Sequence, residues 1–158
     1  MTGHRIALKN RVQLGMLEIT KNADVVNKFL NDPSIYPWVC GTLTEYLDVT
    51  KLIENPDNLF FVGQYGGMAF IKTGMVYDLH SFCLPEGRGK IAVREGLETI
   101  QYVFDVFKPE YLTTMCPINN KAAIGMSRLC GFKKYRTVKD AFPYLGKVYD
   151  ADLYVRYK

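Results

Sequence analysis

Histidine is scarce in this 158-residue chain, with only His4 and His80, and the four cysteines, Cys40, Cys83, Cys116 and Cys130, show no short paired spacing. That combination makes a poor zinc set and no disulfide framework, so each cysteine reads as a small buried hydrophobe in a reducing compartment. Basic runs are also missing: no Lys/Arg run exceeds two residues and the formal net charge is +4. A nucleic-acid surface calls for a denser basic footprint, so nucleic acid is an unlikely partner, whereas a small anionic ligand fits this balance. No apolar run approaches the length of about 18 residues that suggests a membrane span, and the first residues lack a long apolar segment. Neither a membrane span nor a signal peptide is therefore expected, and the protein is expected to be soluble and cytoplasmic. Internal repeats and low-complexity linkers are absent too, which leaves a single domain over residues 1–158.

Apolar residues make up 48% of the chain and aromatics 13%, enough for one sizeable core. "GMLEI" reads as a strand, followed by a helix carrying Val25, Val26, Phe29 and Leu30, with Asn22 or Asp24 as its cap and Pro33 as its stop. "SIYPWVCG" reads as a loop, and Leu43, Leu47, Leu52 and Ile53 share one side of a second predicted helix. "NLFFVGQY", "GMAFIKTG" and "MVYDLHSFCL" are strand-like runs joined by glycine-bearing turns, the pattern of an antiparallel meander. From Lys90 the period changes, and Val93, Leu97, Ile100, Phe104 and Phe107 mark the apolar stripe of a long helix that Pro109 closes. "EYLTTMC" is a further strand, "NNKAAIGMSRLCGF" a helix capped by an asparagine and closed at Gly131, and "KKYRTV" and "VYDADLYVRY" the last strands. The expected class is mixed α/β, an α+β arrangement around one sheet.

Two places carry chemistry. In "SFCLPEGRGKIAVREGLETI", Gly87, Arg88 and Gly89 lie between a strand and a helix. Such a turn is either punctuation or a cradle of backbone N–H groups for a phosphate, to which Arg88 and Lys90 would add positive charge. Glu86 beside it would repel a diphosphate unless it turned to solvent; it could instead cap the helix. On the preceding strand Asp78 and His80 are two residues apart and so share a face, where they could act on an acceptor or form a structural pair.

The element order, together with "EGRGKI" at 86–91 and "NKAAIGMSRLCGF" at 120–132, resembles the GCN5-related N-acetyltransferase (GNAT) superfamily over most of the chain. Asn120, Ala123, Met126, Gly131 and Phe132 fall on the family's N-x-x-A-x-x-L-Y-x-x-x-G-F spacing. Gly87, Arg88 and Gly89 match its Q/R-x-x-G-x-G/A loop, from which Glu86 and Ile91 depart. The sequence is similar, more narrowly, to GNAT-like proteins of tailed bacteriophages, some associated with virion or head-assembly genes, through Asp78 and His80 before "LPEGRG", the pair Asn119 and Asn120, and "NDPSIYPW".

The resemblance implies a mostly antiparallel sheet of six to seven strands with about four helices. It also implies acetyl-CoA as co-substrate, held in a splayed cleft between the fourth and fifth predicted strands, "MVYDLHSFCL" and "EYLTTMC". Cofactor contacts would then come from Ser81, Phe82, Gly87, Arg88, Gly89, Lys90 and Asn120, the last either as a contact or as a cap alone. The implied reaction is direct transfer of acetyl to an unidentified amine, with Asp78 and His80 as acid–base candidates and Cys83 as packing. Ser127 stands where the family places the tyrosine that protonates the departing thiolate; a serine hydroxyl is a far weaker acid than a phenol of pKa about 10. Tyr77, Tyr102 and Tyr135 are the other phenols considered for that proton. Tyr36 and Trp38 lie in the loop that borders the acceptor site in the family, as a lid or as packing. The alternative is a phage virion or head-assembly protein that keeps the fold as an interaction scaffold.

Overall fold

The computed structural model describes residues 13–14, 17–40 and 45–158. His4, the first two residues of "GMLEI" and Leu43 lie outside them. Among the described residues eight strands form one sheet: β1 (Gln13–Leu14), β2 (Leu17–Ile19), β3 (Leu59–Val62), β4 (Gly66–Thr73), β5 (Val76–Cys83), β6 (Leu112–Pro117), β7 (Lys133–Tyr144) and β8 (Lys147–Arg156). Their spatial order is β1-β2-β3-β4-β5-β6-β8-β7, antiparallel everywhere except between β5 and β6. Five α-helices accompany it: α1 (Ala23–Leu30), α2 (Tyr36–Val39), α3 (Thr50–Glu54), α4 (Lys90–Phe107) and α5 (Lys121–Leu129). The mixed α/β architecture is the one expected, with two-residue β1 and four-residue α2 added. No described helix is long and apolar enough to cross a membrane.

The centre of the sheet is buried on both faces, so β3 and β4 are apolar at nearly every position instead of alternating. Leu59, Phe61, Met68, Phe70, Tyr77 and Leu79 face one side, where Ile100, Val103 and Phe104 of α4 cover them. Phe60, Ala69 and Phe82 face the other, against Val26 and Leu30 of α1 and Ile53 of α3. Each fully buried side chain of this size contributes about 1.5–3 kcal/mol, and Phe61 meets Phe70 edge-on at 5.7 Å between ring centres.

Three local expectations are corrected. The stripe that α4 buries runs through Ala92, Gly96, Thr99, Ile100, Val103 and Phe104, while Leu97 and Phe107 are exposed. The helix is turned so that Gly96 meets its neighbours: a Cβ there would stand 3.0 Å from Cys130 Sγ. "SIYPWVCG" contains a helix, α2, because Pro37 sits in its first turn, where a missing N–H costs nothing. The second predicted helix shrinks to Thr50–Glu54. Asn27 of α1 and Asn31, which follows it, tie down the segment before α3: Asn31 accepts from Leu47 N and donates to Leu47 O, and Asn27 accepts from Val49 N.

Helix ends are set by local chemistry. Asn22 caps α1 through Asp24 N at 3.1 Å, and Asn120 caps α5 through Ala123 N at 3.1 Å. At the other end of α5, Gly131 adopts φ +86°; its N–H donates to Arg128 O and that of Phe132 to Ser127 O, a Schellman termination. Gly131→Val forces a β-branched residue into that left-handed position and is expected to cost about 1–2 kcal/mol. The melting temperature should fall by about 2–4 °C per kcal/mol, which calorimetry checks.

Candidate active site

The central ladder breaks at the parallel pair. β5 and β6 are in register only at Tyr77 with Leu112 and Asp78 with Thr113. One step further the Thr114 hydroxyl, not a backbone N–H, donates to Leu79 O at 2.8 Å, and beyond it the strands diverge. Leu84 N–H turns towards β4, where it donates to Tyr65 O, so strand alternation aims the backbone groups of Ser81 and Cys83 at the side β6 has vacated. The opening is a cleft of about 530 Å³. Ser81, Phe82 and Cys83 form one wall, Asn120 with Ala122, Ala123 and Gly125 of α5 the second, and Ile35, Trp38 and Val39 a third.

The turn after β5 delivers α4 to the rim of this cleft. Pro85–Gly87 make one 3-10 turn, and Gly89 then takes φ +91°, with nothing within 4 Å of where a Cβ would stand. Gly87 has a different role, since a Cβ there would lie 2.3 Å from Tyr65 Cβ and 3.1 Å from Cys83 Sγ. Unlike α1 and α5, α4 has no side-chain cap. Glu86 therefore does not cap it; it is exposed on the 3-10 turn. The first-turn N–H groups of Lys90, Ile91 and Ala92 are left facing outward at the positive end of the longest helix, an arrangement that binds anions. Arg88 and Gly89 line the cleft, whereas Lys90 is exposed beside it. The Arg88 guanidinium folds back onto two neutral carbonyls, those of Cys83 and Ser34, each at 3.4 Å.

Asp78 and His80 come together where the ladder ends. His80 Nε2 lies 2.9 Å from Asp78 Oδ2, and the Thr113 hydroxyl donates to Asp78 Oδ1 at 2.8 Å. In a neutral imidazole, an Nε2–H directed at the carboxylate would leave the lone pair on Nδ1. Opposite Ala69 and Ile71 in the register, both residues are on the α1–α3 face of the sheet. They are partly exposed and lie at the apex of the split, outside the ring of side chains that lines the cleft.

Ser127 is not among the lining residues; its hydroxyl is 3.3 Å from Cys116 Sγ. The three tyrosines considered for the same proton are elsewhere. Tyr77 is packed against Phe70 and Phe107, Tyr102 against Phe61 and Phe107, and Tyr135 is exposed on β7. Cys83 lines the cleft, but burial pushes its thiol up, which disfavours the nucleophilic thiolate. Tyr36 is buried with its hydroxyl on Glu45 O, whereas Trp38 lines the cleft and stacks on Tyr144 at 4.0 Å. Thr113, Thr114 and Tyr144 were not anticipated from the sequence, since threonine and tyrosine are ordinary strand residues. Among the described residues no cluster of His, Cys, Asp and Glu could hold a metal ion.

The chain matches no protein-family model and no curated protein sequence. Solved structures do resemble it. The spermidine N-acetyltransferase of Vibrio cholerae, determined in complex with CoA and spermine, is 16% identical, with a TM-score of 0.75 over 90% of this chain and 95% of that one. A GNAT-family acetyltransferase from Bacillus anthracis gives 16% identity and a TM-score of 0.70 over 90% and 95% of the two chains. The ribosomal-protein-S5-alanine acetyltransferase of Vibrio fischeri gives 15% and 0.70 over 90% and 93%. At such identities the likeness concerns architecture, and the chain has the fold of the GNAT acetyltransferases.

Proposed function

We propose that this protein is an N-acetyltransferase that binds acetyl-CoA in the split between β5 and β6 and passes the acetyl group directly to an amine. The observation that carries this reading is the uncapped N-terminus of α4 at the rim of that split, where Gly89 leaves the backbone open to an anion. A diphosphate suits those N–H donors, and Arg88 can exchange two long bonds to neutral carbonyls for a charge-assisted one. The vacated backbone groups of Ser81 and Cys83 suit the amides of a pantetheine arm, with Phe82 and Asn120 beside them. A CoA complex of the same fold supports CoA as the ligand.

When bound, acetyl-CoA supplies an activated acyl carbon. The chain must then deprotonate the amine, and His80 Nδ1, oriented by Asp78 and Thr113, is the base that the geometry favours. The neighbours' acceptors, spermine in one structure and a ribosomal-protein alanine by name in another, are chemically unlike, so the amine remains a class. The phage-assembly alternative rests on sequence likeness alone, and the open split and bare helix terminus favour the enzyme.

Acetyl-CoA at about a hundred times its Kd should stabilise the fold by about 2.7 kcal/mol and raise the melting temperature by about 5–10 °C. Arg88→Ala should reduce that shift and Gly89→Asp abolish it, the latter by placing a carboxylate on the anion site. No shift at millimolar acetyl-CoA would sink the reading. With an amine panel and thiol release as the assay, His80→Ala should lower kcat by about a hundredfold or more, while Cys83→Ser should leave turnover near the unsubstituted level because no acyl-enzyme forms.

A further inference from the structure

Four buried side-chain polar atoms among the described residues have no hydrogen-bond partner, and Glu95 Oε1 is the one that belongs to a carboxyl. Native proteins leave few such atoms, and each calls for a reason. Glu95 sits on α4, six residues past Gly89, beside a cavity of about 20 Å³. That is room for one water molecule. The cavity and the large cleft share Ser81, Phe82, Cys83, Ala92 and Met126 as common walls. Ser81 and Cys83 follow Tyr77 and Leu79 on the face of β5 that looks towards α4.

We propose that Glu95, acting through a water in this cavity, supplies the proton taken up by the departing CoA thiolate, the task for which Ser127 is turned away. This rests on the acyl-transfer reading. The balance is simple: the amine nitrogen forms the C–N bond as the C–S bond breaks, and the amine proton leaves to His80. The sulfur takes a proton from the water, the water takes one from Glu95, and Glu95 is reprotonated from solvent.

The surroundings favour a carboxyl that holds its proton. Burial raises Glu95 above the usual glutamate range, Arg94 on the same helix opposes this and Glu98 adds to it. β2, β4 and α5 present only Leu17, Gly66, Gly67, Met68 and Met126 to the cavity, all uncharged. From β5 the Cys83 thiol faces it and is itself pushed up in part by Glu95, so the carboxylate is felt at the cleft wall.

The test needs no acceptor. The thiol of bound CoA is titrated by its ultraviolet thiolate absorbance in the native protein and in Glu95→Gln. A nearby carboxylate opposes thiolate formation, so the substitution should lower the pH at which the bound thiol ionises by about one unit. Glutamate side-chain carbon NMR of the unsubstituted protein gives a second reading that does not depend on how the variant folds. CoA should move the Glu95 titration and desulfo-CoA should not. CoA bound, with the same thiol titration in both proteins and no response of Glu95, overturns the proton donor while leaving the acyl-transfer reading intact. Failure of CoA to bind removes both.

Discussion

The two-residue register between β5 and β6 governs the rest of the molecule. A sheet that stayed paired along these strands would have no cleft, and the backbone groups of Ser81 and Cys83 would be spent on a neighbour. Instead the Thr114 hydroxyl satisfies Leu79 O where the ladder stops, so the break leaves that buried carbonyl paired. The split also orders the two candidate groups: the α4 terminus opens onto its wide end, and Asp78 and His80 meet Thr113 at its narrow end.

Much of this architecture was legible because local chemistry and global structure agree. Asn120 and Gly131 mark the ends of α5 by side-chain and backbone preferences that hold in any context, and the turn at Gly74 separates β4 from β5 as read, whereas Gly66 and Gly67, read as turn residues, begin β4. What escaped depends on partners distant in sequence. Nothing within residues 45–49 shows that Asn27 and Asn31 will pin them outside the helix. The rotation of α4 follows from Gly96 meeting Cys130, thirty-four residues away, although Leu97 and Phe107 fit the helical period.

The geometry of the candidate site was legible in part for the same reason. Asp78 and His80 share a face by strand geometry alone, and their meeting needed only a short side-chain reach. Ser127 was placed by its spacing from Asn120, but spacing does not tell which way a hydroxyl turns, and it turns to Cys116. Glu95 gave no signal at all, because a glutamate in a helix is usually a solvated residue.

The stack of Trp38 on Tyr144 has a mechanical consequence. Trp38 rides on α2, where Val39 and the preceding Ile35 pack with β3, β4 and β5, whereas Tyr144 ends β7 in the other half of the sheet. The pair thus works as a tie-beam across the two halves. Such a stack is worth about 0.5–1.5 kcal/mol beyond burial, a restraint that thermal motion can lift. Since the chain has a single tryptophan, its emission would report whether that tie is made.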